Sequence, residues 1–292
     1  MRCESGRITM IVGSDSMIGG AVMAHLEHAL EPVVGTYFLP EGSGKNRTCL
    51  DLSRDLSGWR PDRPVQVAYL CAGVTQLEDC RRDPAGSARI NVSGTVAVAR
   101  ALIEQGAFVV FLSSNRVFDG SRPYVEPDSA HCPVTEYGRQ KAETERILSQ
   151  WEESVAIVRL TKVLGPNTLF SKWSRSLRAG EIIRPFTDMV LAPVPLATVV
   201  SALRLIGALR RGGVWQISSE RDVSYAEAAR WGAEMLGVDT NLVQPWSVAE
   251  AGLDPEANPK HTTLNMDRLR EEFGLVPPSI RHTIERAFGG QG

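Results

Sequence analysis

The chain has 292 residues, a length that fits one large domain or two unequal ones. Its 32 Lys and Arg residues nearly balance its 34 Asp and Glu residues, and the formal net charge of −2 argues against a protein whose main task is to grip nucleic acid or an anionic membrane. With 43% hydrophobic and 23% charged residues, the composition excludes disorder over most of the chain, and no apolar run is long enough to span a membrane.

The first half of the chain alternates short apolar runs with helical patterns. The runs predict strands, most of them continuous and β-branched, at residues 7–12, 32–38, 47–52, 65–71, 107–112 and 155–160. Apolar positions at helical spacing predict helices at residues 17–30, at residues 84–104 and from residue 137 onwards. Continuous apolar strands that alternate with helices are typical of a parallel sheet covered on both faces. The predicted fold class is therefore α/β, a Rossmann doubly wound parallel sheet.

This regularity ends near residue 160, where the segments become shorter and richer in proline. Helices are predicted at residues 196–210 and 225–236, around a strand at 214–218. The change predicts an NAD(P)-binding Rossmann domain over residues 1–160, completed by about 196–218. A smaller, irregular C-terminal part is then expected to bind substrate, and it comprises residues 161–195 and 219–292.

The cysteines give no sign of a structural metal or a disulfide framework. All five are scattered along the chain, and none forms a C-x-x-C pair. The first residues lack the apolar core of a signal peptide. The sequence therefore predicts a cytoplasmic protein with no metal site.

A glycine-bearing turn, G-S-D-S-M-I-G-G at residues 13–20, follows the first predicted strand. Gly13 allows the tight turn, Ser16 is small enough for the backbone to approach a pyrophosphate, and Gly19 permits close packing of helix on sheet. The N–H groups at the start of the helix, including those of Met17 and Ile18, would face the phosphates. The turn predicts a dinucleotide site, and a strand–turn–helix without a ligand stays open as the alternative.

Residues at the end of the second predicted strand determine whether NAD or NADP is bound. An acid there would bind the ribose 2′-hydroxyl of NAD, but residues 35–38 read G-T-Y-F. Lys45 and Arg47 follow and could meet a 2′-phosphate. The sequence therefore favours NADP(H) over NAD(H), with two plain surface charges as the alternative reading.

A tyrosine and a lysine stand one helical turn apart in Y-G-R-Q-K at residues 137–141. Tyr137 and Lys141 share a helix face, and an ammonium beside a phenol lowers the pKa of the phenol, which makes it a usable acid–base group. Upstream, the strand at residues 107–112 runs into Ser113 and Ser114, at the edge of the sheet where ligands bind. A serine hydroxyl there can donate to a substrate carbonyl.

In order and spacing, these motifs resemble the extended short-chain dehydrogenases/reductases, and among them the dTDP-4-dehydrorhamnose reductase group. The resemblance is strong over residues 7–166 and faint afterwards. It rests on these stretches: C-A-G at 71–73, Asn91, L-S-S-N-R-V-F-D-G at 112–120, P-Y-V-E-P-D at 123–128, Y-G-R-Q-K at 137–141, and Arg159-Leu160 to Gly165-Pro166.

The resemblance implies roles for particular residues. Tyr137 would be the proton donor, Lys141 would lower the pKa of Tyr137 and bind the nicotinamide ribose, and Ser114 would orient the carbonyl. The implied cofactor-binding residues are Gly13, Ser16, Met17, Ile18, Gly19, Asp51, Leu52, Cys71, Ala72, Gly73, Asn91, Ser113, Tyr137 and Lys141. Asn115 and Arg116 depart from the family's Asp-Tyr at this point, and we expect them at the edge of the substrate site.

The implied function is an NAD(P)H-dependent reductase of a nucleotide-linked 4-keto sugar. Candidate cations for the substrate diphosphate are Lys172, Arg175, Arg178 and Arg184. Two alternatives stay open: a non-catalytic NADP-binding protein like the regulatory subunit of methionine adenosyltransferase, and a nucleotide-sugar epimerase. Retention of Ser114, Tyr137 and Lys141 favours an enzyme. No nucleic acid or membrane partner is expected, and a homodimer is one assembly that the sequence leaves open.

Overall fold

The structure is a computed structural model that describes residues 6–38, 46–166, 168–252 and 258–289. Its strands are β1 (Ile8–Val12), β2 (Val33–Tyr37), β3 (Arg47–Cys49), β4 (Val65–Leu70), β5 (Phe108–Ser114), β6 (Val155–Leu160), β7 (Lys162–Leu164), β8 (Val190–Leu191), β9 (Pro193–Pro195), β10 (Gly213–Ile217) and β11 (Val223–Ser224). Its α-helices are α1 (Met17–His28), α2 (Leu77–Arg82), α3 (Pro84–Ala88), α4 (Thr95–Glu104), α5 (Glu136–Leu148), α6 (Leu169–Arg178), α7 (Leu196–Leu209), α8 (Tyr225–Leu236), α9 (Asp267–Phe273) and α10 (Ile280–Phe288).

Seven strands form the main sheet, in the order β10-β6-β5-β4-β1-β2-β3. β1 pairs in parallel with both β2 and β4, β3 extends the sheet beyond β2, and β5 extends it beyond β4. Every residue of β1, β5 and β6 is buried, which explains why these strands read as continuous apolar runs. The predicted Rossmann fold is confirmed. The strand order reverses beside β1, where ligands bind in sheets of this kind.

The helix predicted over residues 84–104 contains an irregularity. α3 and α4 are joined by a π-helical segment, Arg89–Gly94, in which the hydrogen-bond pattern is wider than in an α-helix. Side-chain hydroxyls bond to carbonyl oxygens of this segment: Thr95 Oγ1 donates to Ile90 at 2.9 Å, and Thr144 Oγ1 donates to Asn91 at 2.9 Å. The segment carries Asn91, which is buried.

The chain divides into two compact units. The first comprises Met1–Phe118, His131–Arg159 and Val200–Trp215, and the second comprises Asp119–Ala130, Leu160–Val199 and Gln216–Gly292. In the second unit α6, α8 and α10 pack together. Their shared core includes an aromatic group formed by Phe170, Trp173, Tyr225 and Phe288.

Two further properties concern the described ranges. None of the helices in them is both long enough and apolar enough to cross a membrane. Within the same residues, no group of three or more His, Cys, Asp or Glu side chains could hold a metal ion.

Candidate active site

The turn between β1 and α1 is closed by its own residues. Gly13 has φ +85°, and a Cβ there would lie 2.7 Å from the backbone of Ala72. A Cβ at Gly19 would lie 2.1 Å from the carbonyl oxygen of Gly13. Ser16 is the N-cap of α1: its Oγ accepts from the N–H of Gly19 at 3.1 Å and donates to the carbonyl oxygen of Gly13 at 2.7 Å. The Ser16 hydroxyl proton is thus used inside the turn.

Thr36 on β2 fixes the turn against the sheet. The N–H of Gly13 donates to Thr36 Oγ1 at 3.0 Å, and the N–H and hydroxyl of Ser14 donate to the Thr36 carbonyl oxygen at 2.7 and 2.9 Å. Sequence reasoning missed Thr36, because nothing in a strand sequence shows which side chain will bond to a neighbouring turn.

A cavity of about 370 Å³ opens beside this turn, within the size range of small-molecule sites. The sequence predicted five of its lining residues, namely Gly13, Ser16, Leu52, Ala72 and Gly73. The others are Asp15, Thr36, Tyr37, Phe38, Leu50, Val74 and Ile90. A glycine turn and a helix N-cap on the wall of a largely apolar cavity fit the adenosine and phosphate half of a nicotinamide dinucleotide.

Several predicted cofactor residues lie outside this lining. Met17 is exposed and Ile18 half-buried. Asp51 accepts the Ser53 hydroxyl at 2.6 Å and the Arg54 guanidinium at 3.1 Å, and these bonds, those from Ser53 first, hold the pKa of Asp51 below its usual value. Lys45 lies outside the described residues.

Asn91 joins the loop after β4 to α5. Its Oδ1 accepts from the N–H of Val74 at 2.8 Å, and its Nδ2 donates to the Val74 carbonyl at 2.9 Å and to Gln140 Oε1 at 2.8 Å. A Cβ at Gly73 would lie 2.9 Å from Asn91 Oδ1 and 4.0 Å from Lys141 Nζ. Gly73 thus lines the cavity and also lies beside the lysine. Gln140, inside the Y-G-R-Q-K motif, was missed.

The Ser114, Tyr137 and Lys141 side chains meet at the carboxyl end of β5. Ser114 is the last residue of β5, and Tyr137 lies in the first turn of α5, close enough for the Ser114 side chain to influence the Tyr137 phenol. One turn further on, Lys141 Nζ donates to the Leu112 carbonyl at 2.8 Å and lies 5.8 Å from the centroid of the Tyr137 ring. All three residues are buried.

Burial sets the charge state of this cluster. It raises the pKa of Tyr137 to about 12, although the Ser114 hydrogen bond and the Arg116 charge act in the opposite direction. It lowers the pKa of Lys141 to about 8, opposed by the negative charge of Glu145. The sequence predicted a Tyr137 pKa below the ordinary 10.0, and this was wrong because desolvation outweighs the nearby charges. The phenol therefore keeps its proton near neutral pH.

Asn115 and Arg116 begin a short 3₁₀ turn directly after Ser114. Ser114 Oγ accepts from the N–H of Arg116 at 3.2 Å and donates to Asn115 Oδ1 at 3.3 Å. Asn115 and Arg116, which were expected at the edge of the substrate site, thus adjoin Ser114, and Arg116 is half-buried.

A buried ionic network lies behind the cluster. Ser113 Oγ donates to Glu145, which also accepts from Arg159 at 2.7 Å and lies 2.9 Å from His131 Nε2. Glu145 is 2% and Arg159 3% exposed. The Ser113 hydroxyl, predicted to meet the cofactor, instead helps to hold β5 to α5. Cys71, also predicted, is half-buried, and burial raises the pKa of its thiol to about 12.

The family comparison decides the class of the protein. A family model described as the RmlD substrate binding domain matches residues 8–290. The chain belongs to this family. The predicted resemblance to dTDP-4-dehydrorhamnose reductases and the predicted oxidoreductase class are confirmed at the level of the family, because the RmlD-type relatives include reductases.

Three curated relatives illustrate the range of the match. A probable low-salt glycan biosynthesis reductase of Haloferax volcanii is 24% identical, with 95% of this chain and 97% of the relative covered. A dTDP-4-keto-6-deoxy-D-glucose reductase of Streptomyces niveus is 28% identical, with 94% and 92% covered. The methionine adenosyltransferase 2 subunit beta of Xenopus laevis is 26% identical, over 54% of this chain and 48% of its own.

Solved structures share the fold of this RmlD-family chain. The dTDP-4-dehydrorhamnose reductase of Bacillus anthracis in complex with NADP has a TM-score of 0.82 at 22% identity, with 97% of this chain and 99% of that chain covered. MoeE5 in complex with UDP-glucose and NAD has a TM-score of 0.80 at 21% identity, with 97% of each chain covered. The two neighbours were solved with different dinucleotides, NADP in the first and NAD in the second.

Proposed function

We propose that this protein is a reductase that uses NADH or NADPH to reduce the keto group of a nucleotide-linked 4-keto sugar. The observation that carries the proposal is the convergence of three side chains at the carboxyl end of β5: Ser114 ends the strand, Tyr137 lies beside it in the first turn of α5, and Lys141 Nζ lies 5.8 Å from the centroid of the Tyr137 ring. The Streptomyces niveus relative, named for the reduction of a dTDP-linked 4-keto sugar, supports the substrate class.

The chain's own residues supply acid catalysis and orientation. Ser114 donates a hydrogen bond to the substrate carbonyl oxygen and polarises it. Tyr137, protonated because burial raises its pKa to about 12, donates its proton to that oxygen. Lys141, positive below its pKa of about 8, stabilises the negative charge that forms on the phenol oxygen. The nicotinamide, when bound, supplies the hydride to the carbonyl carbon, so the ketone becomes a secondary alcohol.

The glycine turn and the cavity beside it are assigned to the cofactor. Gly13, Ser16, Leu52, Ala72 and Gly73 would surround its adenosine and phosphates. The second compact unit is assigned to the sugar nucleotide. There Lys172, Arg175 and Arg178 lie on α6, while the Arg184 guanidinium lies 5.8 Å from the Trp246 ring centroid.

The test is a reduction assay with a panel of nucleotide-linked 4-keto sugars. NADH and NADPH are supplied separately, and loss of the reduced-nicotinamide absorbance is followed. We expect stoichiometric oxidation of the cofactor with at least one sugar. An epimerase would convert a sugar without net consumption of reduced cofactor, and either result separates the two reactions.

A non-catalytic cofactor-binding subunit is the second candidate, favoured by the match to the Xenopus laevis subunit. It predicts tight binding of the dinucleotide, no turnover on any sugar of the panel, and a partner enzyme that co-purifies with the chain. The convergence of Ser114, Tyr137 and Lys141 favours the reductase, because a scaffold has no need of a proton donor beside a carbonyl-orienting hydroxyl.

A further inference from the structure

The acid missing from the end of β2 is supplied by another segment. Residues 35–38 carry no carboxylate, but Asp15, in the turn after β1, extends to the same point. The N–H of Phe38 donates to Asp15 Oδ2 at 3.4 Å, and Asp15, Tyr37 and Phe38 line one cavity. We propose that Asp15 binds the ribose 2′-hydroxyl of the cofactor and makes this chain prefer NAD(H) to NADP(H), an inference that rests on the proposed nicotinamide function.

Gly13 and Ser14, the two residues before Asp15, fix the position of the backbone in this turn. Both are hydrogen-bonded to Thr36, at distances of 2.7 to 3.0 Å. The bond from the Phe38 N–H brings the Asp15 carboxylate to the residue that follows β2, the strand end at which a Rossmann fold carries its ribose-binding acid. Asp15 and Phe38 are 23 residues apart in sequence, and this hydrogen bond joins the turn to the strand end.

The chemistry of a carboxylate separates the two cofactors. An ionised carboxylate only accepts hydrogen bonds, and its two oxygens offer about four acceptor sites, so the bond from Phe38 leaves capacity for a hydroxyl donor. A phosphate monoester in the same place carries a charge of about −1.5 to −2 near neutral pH and would be repelled. The Asp15 side chain thus attracts the 2′-hydroxyl and opposes the 2′-phosphate.

The cations that could reverse this preference lie elsewhere among the described residues. No Lys or Arg lines the cavity in the part of the chain that the structure describes. Arg47 begins β3 opposite Gly35, whereas the cavity is at the other end of the strand pair, where Tyr37 pairs with Cys49. Arg54 is bonded to Asp51 at 3.1 Å. The preference for NADP(H) that the sequence suggested rested on Lys45 and Arg47.

Binding measurements test the inference without turnover. NADH and NADPH are titrated into the full chain, and the dissociation constants come from the change in nicotinamide fluorescence. We expect NADH to bind more tightly than NADPH to the unaltered protein. In Asp15→Asn, which keeps the size and the acceptor for Phe38, the ratio of the two constants should shift toward NADPH by about 10- to 100-fold.

Glu27→Gln is the matched control. It removes the same charge from the helix that follows the turn, but Glu27 is exposed in the last turn of α1, away from the cavity lining. This variant should leave the ratio unchanged. The inference is overturned if the unaltered protein binds NADPH as tightly as NADH, or if Asp15→Asn keeps the original ratio. Failure of both dinucleotides to bind would overturn the proposed function itself, and the inference with it.

Discussion

The two ends of the candidate site are built differently. Around Ser114 and Tyr137, the residues Asn91, Lys141 and Glu145 are at most 4% exposed. Asn91 is hydrogen-bonded to α5, and Lys141 and Glu145 are hydrogen-bonded to β5. Around the turn after β1, Asp15 is exposed and Phe38 is 55% exposed. A substitution at the buried end, around Ser114 and Tyr137, should therefore affect both catalysis and folding. A substitution at the open end, around Asp15 and Phe38, should change which ligand binds with little effect on the fold.

Tyr137→Phe should have the largest effect of the substitutions considered. It removes the proton donor and keeps the ring, so turnover should fall by about 10²–10⁴-fold while cofactor affinity stays nearly constant. Steady-state kinetics and fluorescence titration measure the two quantities. Tyr124→Phe is the control: Tyr124 is exposed in the second unit, and its hydroxyl donates to the Glu220 carbonyl at 3.1 Å. Normal turnover in Tyr137→Phe would refute its assignment as the acid.

Glu145→Gln tests whether the buried end is also a folding element. The exchange leaves the Arg159 guanidinium buried without its counter-ion, a change that costs about 3–5 kcal/mol in comparable cases. Urea unfolding at neutral pH measures the loss. Glu143→Gln, on the same helix, breaks only an exposed pair with Arg146 and should cost less than about 1 kcal/mol. If Glu145→Gln and Glu143→Gln lost the same unfolding free energy, the buried end would not be a folding element.

The Glu145–Arg159 pair also predicts how stability depends on pH. Burial raises the pKa of Glu145, but the hydrogen bonds from His131, Arg159 and Ser113 outweigh it, and the folded-state pKa lies below the ordinary 4.5. A group with a lowered pKa stabilises the fold above its unfolded value, and this stability is lost as the pH falls through the folded value. The difference in unfolding free energy between the unaltered protein and Glu145→Gln should therefore become smaller below about pH 4.5.

The charge of Lys141 gives the next prediction. Its pKa of about 8, lowered by burial, means that the ammonium loses its proton in mildly alkaline solution, while Tyr137 keeps its own until about pH 12. Turnover should therefore decline above about pH 8, with one basic limb. Lys141→Met, which has no proton to lose at this position, should show no such limb in its residual activity. A basic limb that persists in this variant would assign the titration to another group.

The first unit was largely predictable from the sequence, whereas the second was predictable only in part: α8 has the predicted bounds, Tyr225–Leu236. Strand β6 lies where its apolar run predicted it, and β5 extends two residues further, which places Ser113 and Ser114 inside the strand. In the second unit α6 and α10 were missed. Both are strongly amphipathic, so their sequences did carry a helical signal, but their burial depends on an aromatic core assembled from distant segments, including Phe170 and Phe288.

The site divides along a similar line. Residues that belong to a contiguous motif, such as Tyr137 and Lys141, were found because their spacing alone fixes a shared helix face. Thr36, Gln140 and Glu145 were missed because each acts through a partner that is distant in sequence or on a neighbouring element. Asp15 stood inside the turn motif. Its role depends on Phe38, the residue after β2 and 23 residues away, and no spacing rule connects the two.

Ser16→Ala should have the smallest effect and tests the open end. If the Ser16 hydroxyl serves the turn, as its bonds to Gly13 and Gly19 indicate, the variant should lose about 0.5–2 kcal/mol of unfolding free energy, the usual cost of an N-cap replaced by alanine. Ser16→Gly should lose only a few tenths, because glycine is tolerated at an N-cap. Both should bind NADH almost as tightly as the unaltered protein. A tenfold loss of affinity in both variants at unchanged stability would mean that the hydroxyl binds the cofactor. The open end would then tolerate substitution no better than the buried end does, and the two ends would differ only in how exposed their residues are.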